Sequence, residues 1–356
     1  MTEPDSGPAV PMTARVVAAP VAMVVFLLAA CGSSSVEEGK AGDAAGRATT
    51  TTSEEDGDVV ISVIDTPDTD AANEPDGDPE PEPEPDVQPE VAPDRRPLPE
   101  SAAAMVPALD AAELAVRDGG QTVADRAAWG RRQQSLYRHL ANNPEWVPTV
   151  LAETDPAIRG AVELNWTARE NLSLLLATET LHDELPAWRV EPPAPAEELI
   201  GYYKEAEEAW GIQWEFLAGI NLIETRMGRI QGVSSAGAIG PMQFLPTTWA
   251  ECCDGDPTTP QDAIIGAAKY LTIRGGPENM DRAIWGYNNS DYYVNAVTAY
   301  ANVLMADEQA YHGYHAWEIY FLSTEGLLRI PVGYEQREPV PAADWLADNP
   351  DALFAD

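Results

Sequence analysis

The sequence predicts a mainly α protein with one β-hairpin near its C-terminus and a long non-globular stretch ahead of the first helix. Three observations carry that prediction. From residue 101 to about 305, apolar residues recur near helical spacing, in runs closed by Gly, Pro or Asn. At 315–332 the pattern changes to aromatic and aliphatic residues around the turn Thr324-Glu325-Gly326, as expected of two paired strands. Residues 32–100 are low in complexity: Ser, Thr, Gly and Ala, then Asp and Glu, then Pro79-Glu80-Pro81-Glu82-Pro83-Glu84-Pro85. Such a segment buries too little apolar surface to fold and reads as a disordered linker, with the Pro-Glu run extended and a β-prone island at 59–64 too short to count as a strand.

Ahead of the linker, residues 16–30 are continuously apolar, too short to span a bilayer comfortably and of the length of a signal-peptide core. Leu28-Ala29-Ala30-Cys31 resembles a bacterial lipobox, which implies cleavage before Cys31 and lipid on that cysteine. Glu3 and Asp5 suit a signal poorly, whereas Met12-Thr13-Ala14-Arg15 supplies a positive start, so Met12 reads as the initiating residue. Residues 1–31 are thus expected to be the signal and lipid site. The linker would hold the helical part of the chain off the outer face of the cytoplasmic membrane. The 356 residues allow one or two domains, and their net charge of −38 argues against nucleic acid and against electrostatic attraction to anionic lipid.

Helices are expected at 102–117, 122–142, 146–153 and 157–180. Together these make a support segment, 101–190, with no catalytic constellation. His139 and His182 stand alone in it and read as surface or packing residues. Pro192-Pro193-Ala194-Pro195 marks a boundary, and 191–337 reads as the functional domain. It opens with a helix at 196–210, acidic on one face and closed by Gly211.

The stretch from Trp214 to Trp249 organises that domain. Residues 214–223 are apolar except Glu215 and Asn221, which fall on different sides, so a helix here is buried on most faces. Glu224 follows in the last turn, before Gly228, a natural helix stop. Burial and the negative end of the helix dipole both raise its pKa, as a general acid requires. A buried ion pair with Arg226 or Arg229 is the alternative. Ser234-Ser235-Ala236-Gly237-Ala238-Ile239-Gly240-Pro241 then forms a tight loop able to approach a ligand, followed by Met242-Gln243-Phe244-Leu245 and by Pro246 at the start of another helix.

Downstream, residues 251–257 are expected to be a loop. Asp254 and Asp256 suggest a Ca²⁺ loop, but the glycine at the sixth position and the glutamate at the twelfth are missing, so no metal is expected. The neighbouring Cys252 and Cys253 are read as two small buried thiols in preference to a strained vicinal disulfide. Helices come next at 260–273, 281–287 and 292–305, the last capped by Ser290 or Asp291. The hairpin covers 315–332, and 338–356 reads as an acidic tail with one helical turn near 342–346.

Glu224-Thr225-Arg226-Met227-Gly228, then Ser234-Ser235-Ala236-Gly237-Ala238 and Gly240-Pro241-Met242-Gln243-Phe244-Leu245-Pro246, then Tyr287-Asn288-Asn289-Ser290, resemble in order the motifs of lytic transglycosylases of the lysozyme-like superfamily. They are most similar to the membrane-bound B type and its actinobacterial lipoprotein relatives. The resemblance implies a lysozyme-like domain acting without a cofactor, as a monomer, on peptidoglycan glycan strands. It implies Glu224 as the single catalytic acid/base. It also implies that Ser235 (or its neighbour Ser234), Met242 and Gln243 line the glycan cleft, with Tyr287 and Asn288 across from Glu224. The residues themselves offer one good acid: Glu215 lies nine positions back on the same helix, about 13 Å away, and Glu251, Asp254 and Asp256 lie beyond the loop. The expected reaction cleaves the bond between N-acetylmuramic acid and N-acetylglucosamine and leaves a 1,6-anhydro ring. A water-using muramidase with Asp254 or Asp256 as base, and a non-catalytic peptidoglycan-binding lipoprotein, are the rival readings.

Overall fold

The structure, a computed structural model, describes residues 91–177 and 181–354. The expectations for Met12, Cys31 and the linker as far as residue 90 lie outside the described residues. Residues 91–100, expected to be disordered, are instead packed. A short 3₁₀ turn at Pro93–Arg95 lies against the second helix. Arg132 donates to the carbonyls of Arg96 and Pro97, and His139 contacts that of Pro99 at 2.8 Å. Leu98 rests on the main core. Residues 91–100 are thus held by apolar packing at Leu98 and by hydrogen bonds to the carbonyls of Arg96, Pro97 and Pro99.

Among the described residues the architecture is mainly helical. α1 (Ala102–Arg117) is capped by Ser101, whose side chain accepts from Ala104 N. α2 (Val123–Asn142) is capped in the same way by Thr122, which accepts from Asp125 N. α3 (Val147–Glu153) and α4 (Arg159–Leu176) complete the support. Glu113, fully buried on α1, explains why polar residues sit inside it. It pairs with Arg117, accepts from Tyr137, and accepts from Asn165 at 3.1 Å, while Asn165 accepts from Tyr314 at 2.5 Å. One buried carboxylate thus joins α1, α2, α4 and α11 (Tyr311–His315). His315, expected in a strand, ends that helix.

The second group of helices comprises α5 (Ala196–Trp210), α6 (Trp214–Thr225), α7 (Pro246–Cys252), α8 (Pro260–Arg274), α9 (Met280–Tyr287) and α10 (Asp291–Ala306). α10 lies between α4 and α6. Leu109, Tyr137 and Leu172 of the support share one apolar core with Leu217, Ile220 and Tyr300. Gly219 allows the approach of α6 and α10: a Cβ there would meet Val297 O at 3.2 Å.

The hairpin pairs β4 (Ile319–Ser323) with β5 (Gly326–Ile330), antiparallel, in the register Ile319↔Ile330 through Ser323↔Gly326. Its inward residues Ile319, Phe321, Leu328 and Ile330 form a second, smaller core with Leu185, Trp188 and Val190. Two short pairings are not visible in the sequence. β1 (Glu184–Leu185) pairs with β6 (Val340–Pro341), and β2 (Arg189–Val190) with β3 (Ile230–Gln231). They are too short for a period-2 pattern to register.

The acidic tail carries a helix, α12 (Ala342–Asp348), over its expected helical turn; β6 pairs with β1, Ala342 joins the core under the hairpin, and Phe354, whose N donates to Leu327 O, meets the Tyr320 ring. One further expectation is corrected. Cys252 and Cys253 are joined as a disulfide rather than left as thiols. α7 extends through Cys252, and the backbone leaves the helix at Cys253 in an extended conformation, so adjacent side chains turn toward one another.

A buried polar network fixes the end of α6. Asn221 Nδ2 and Thr225 Oγ1 both donate to Pro241 O, at 2.8 and 2.6 Å, and Tyr203 donates to Asn221 Oδ1 at 2.6 Å. Thr225 Oγ1 also accepts from Gly228 N at 3.0 Å. Replacing Asn221 by Leu leaves the buried Tyr203 hydroxyl with only the weak acceptor Met227 Sδ, at 3.5 Å. Urea unfolding of Asn221→Leu should show a loss of about 1–3 kcal/mol; an unchanged midpoint would remove the network from the stability of this region.

Candidate active site

α6 carries Glu224 into the interior because every residue of the helix except Glu215 is buried. The helix ends one residue later, earlier than Gly228 suggests. Arg226 and Met227, with φ of 55° and 62°, already adopt the left-handed conformation that Gly228 continues at 81°. Arg226 makes this end possible by capping it: its Nη1 donates to Leu222 O and lies 3.5 Å from Ile223 O, carbonyls the helix leaves open. Arg229 donates to His315 O at 2.8 Å. Among the described residues neither arginine forms an ion pair with Glu224, so the expected alternative of a neutralised buried glutamate is not what the fold builds.

Glu224 is 2 % exposed, and its pKa is pushed up to about 8. Burial is the main cause; the hydrogen bond from Tyr293 and the charge of Arg226 pull the other way. Tyr293 Oη donates to Oε1 at 2.6 Å. Oε2 has no hydrogen-bond partner among the described residues, and Glu224 lines a cleft of about 530 Å³. Among the described residues it is the only carboxylic acid in that lining. Asp254, whose side chain is 93 % exposed, pairs with Lys269 at 2.9 Å, and Asp256 accepts from Thr258. Neither lines the cleft. A separate hollow of about 690 Å³, lined by Arg132, His139 and Tyr320, does not include Glu224.

The loop after α6 forms the opposite wall. Ser234 is buried and works within the loop: its Oγ accepts from Ala238 N at 2.9 Å. Ser235 is exposed at the tip, and neither serine lines the cleft around Glu224. Gly240, at φ 75°, has no substitute, because a Cβ there would fall 1.8 Å from Pro257 O. Gln243, at φ 53°, donates from Nε2 to Gly240 O at 2.8 Å, and its Oε1 is buried without a partner on the cleft wall.

The expected set of site residues is therefore divided. Glu224, Gln243, Tyr287 and Asn288 line one cleft. Met242 does not: its side chain is fully buried in the core, and its carbonyl accepts from Tyr287 Oη at 2.5 Å. The apolar side chain is more stable packed than presented to solvent. Phe244, Tyr270 and Tyr287 meet edge to face beneath the cleft, with centroids 5.6 to 5.9 Å apart.

Sequence reasoning missed Tyr293, Arg274, Arg282 and Trp285. Tyr293 was within reach: with Val297 and Tyr300 it makes an i, i+4, i+7 stripe that faces inward, while its neighbour Tyr292 is exposed. The two arginines and Trp285 come together only through the packing of α8 on α9. Compared with known proteins, the chain matches no family model, no curated protein and no solved structure.

The raised pKa has a consequence for stability. Between the unfolded value near 4.5 and the folded value near 8, the native state holds the Glu224 proton and the unfolded state releases it. Stability therefore falls as pH rises through that window. Glu224→Gln removes the dependence, so its Tm relative to the parent should climb from pH 5 to pH 8, by the equivalent of a few kcal/mol at most. A Tm difference constant over this range would mean the carboxyl ionises at its ordinary pH.

Proposed function

We infer that the protein is a peptidoglycan-cleaving enzyme of the lytic transglycosylase type, built on a lysozyme-like catalytic domain. One observation carries the reading: among the described residues a single carboxylic acid, buried and with its pKa pushed up to about 8, opens onto the cleft with no second acid in its lining. Most glycosidases instead flank the bond with two carboxylates. The ordered motifs around Glu224, Gln243 and Tyr287-Asn288 supply the choice of substrate, a glycan of N-acetylmuramic acid and N-acetylglucosamine. The lipobox-like Leu28-Ala29-Ala30-Cys31 supports anchoring by lipid on the outer face of the cytoplasmic membrane.

In this mechanism Glu224 gives its proton to the glycosidic oxygen as the bond from that oxygen to the muramic C1 breaks. The substrate's own N-acetyl group stabilises the positive charge developing at C1. Glu224, now a carboxylate, takes the proton of the muramic 6-hydroxyl while O6 bonds to C1, closing the 1,6-anhydro ring and restoring the acid. Tyr293 holds Oε1 through both steps, which leaves Oε2 to carry the proton. Its hydrogen bond stabilises the carboxylate formed between them.

Mass analysis of products from purified peptidoglycan tests the reaction. Anhydro-muramic ends are expected, lost by at least about 10²–10⁴-fold in Glu224→Gln and largely retained in Asp254→Asn and Asp256→Asn. Reducing ends that vanish in an aspartate variant would assign a muramidase. Near-normal turnover in Glu224→Gln would remove this site from catalysis and favour a binding role.

The acid form is the active one for bond cleavage, so kcat/KM should fall as pH rises past about 8. Tyr293→Phe removes a bond that lowers the Glu224 pKa. Its basic limb should move to higher pH while kcat drops. An unmoved limb would show that Tyr293 does not act on the carboxyl.

A further inference from the structure

The rim of the cleft carries an unexpected charge. The chain holds 59 acidic residues against 21 Lys and Arg, yet the cleft contains Arg274 and Arg282, both exposed. Neither forms an ion pair among the described residues, although Glu278 and Asp281 lie close by in the sequence. In so acidic a protein, unpaired surface arginines beside available acids call for a reason other than solubility.

The stem of Arg274 is held in place. The guanidinium of Arg274 lies over the Tyr270 ring, 4.8 Å from its centroid, and its stem crosses Gly286, where a Cβ would meet it at 3.0 Å. Arg282 packs beside Gly275, its Cδ 3.7 Å from where a Cβ would be. The same cleft lining includes Ile273 and Trp285, 61 % and 47 % exposed. An exposed tryptophan offers an apolar face to a sugar ring, and two guanidinium groups offer planar forks that match a carboxylate.

We propose that Arg274 and Arg282 bind a carboxylate carried as a branch on the glycan, and so make the cleft selective for acid-bearing strands over neutral ones. The inference rests on the reading of Glu224 as a glycan-cleaving acid. It adds a specificity element that the reading does not need, since bond cleavage requires nothing of these arginines. Two groups on a peptidoglycan strand supply this chemistry: the lactyl carboxylate of a peptide-free muramic residue, and the carboxylates of an attached peptide. The arginines also counter the repulsion that an acidic protein exerts on an acidic polymer, so selectivity is expected to weaken with salt.

The test measures binding, with Glu224→Gln as the parent so that no substrate is consumed. Three probes are compared at low and high salt: peptide-bearing strands, amidase-stripped strands, and neutral N-acetylglucosamine oligomers of similar length. The parent should prefer one or both acid-bearing probes by roughly tenfold, the scale of a lost charge-assisted contact. In Arg274→Gln/Arg282→Gln that preference should vanish, and in Arg274→Lys/Arg282→Lys it should partly return. Preference for stripped strands assigns the lactyl acid, and preference confined to peptide-bearing strands assigns the peptide. Equal binding of all three probes by the parent, or a preference that survives in the double Gln variant, overturns the inference while leaving the function of Glu224 intact. Failure to bind any glycan, with no cleavage by the wild-type protein, overturns both.

Discussion

One carbonyl oxygen sets the geometry of the site. Pro241 O receives Asn221 and Thr225, two residues four apart on one face of α6. Two such anchors fix the rotation of the helix about its axis as well as its distance from the loop. Glu224 precedes the second anchor by one residue, about 100° further round the helix, so the same pair of bonds that docks the helix also directs the carboxyl. Because Pro241 immediately precedes Met242 and Gln243, the opposite wall of the cleft is referenced to the same atom. Tyr287 then joins that wall to α9 through Met242 O.

Strain gathers around this clamp. Among the described residues, the non-glycine positions with positive φ are Arg226, Met227 and Gln243, and all three belong to the two segments that wall the site. Left-handed backbone costs roughly 1–2 kcal/mol for each such residue, and it persists where surrounding contacts over-determine it. Here Met227 is buried in the core, and Arg226 has its guanidinium on the open carbonyls of α6. That bond also decides the electrostatics. An arginine two residues from a buried glutamate would ordinarily form its counter-ion and hold it ionised. Directed onto the helix end instead, Arg226 acts on the carboxyl only through space, and burial prevails.

Helices were legible in the sequence because their signals are local: apolar residues at helical spacing, Gly211 after α5, Pro246 and Pro260 at first helical positions. Glu224 was legible for a related reason, since a carboxylate ending an otherwise apolar helix is a local contradiction that asks for an explanation. What escaped notice depends on contacts remote in the chain. Asn221 looked like a break in an apolar face until Pro241 and Tyr203 supplied its partners. Met242, grouped with Gln243 as cleft lining, has its side chain turned to the core, because the left-handed turn at Gln243 sends neighbouring side chains to opposite sides. The packing of residues 91–100 needed Arg132 to reach the carbonyls of Arg96 and Pro97, and the cystine needed α7 to end at Cys252.

The absence of a second acid from the cleft lining bears on which nucleophile reaches C1. An inverting hydrolase activates its water with a base on the far side of the ring from the acid. Among the described residues, the other groups lining this cleft are three amides, a threonine hydroxyl, phenols, guanidinium groups and apolar side chains, none suited to take a proton from water near neutral pH. After protonating the leaving oxygen, Glu224 is the base that remains, on the face from which the leaving group departs. On the proposed reading, the hydroxyl acting as nucleophile must then approach from that same face, and the 6-hydroxyl of the cleaved sugar is already tethered there. Its effective concentration, set by a covalent link, exceeds that of water admitted to a nearly buried carboxyl. On that reading, a lone acid in the cleft lining favours ring closure over hydrolysis.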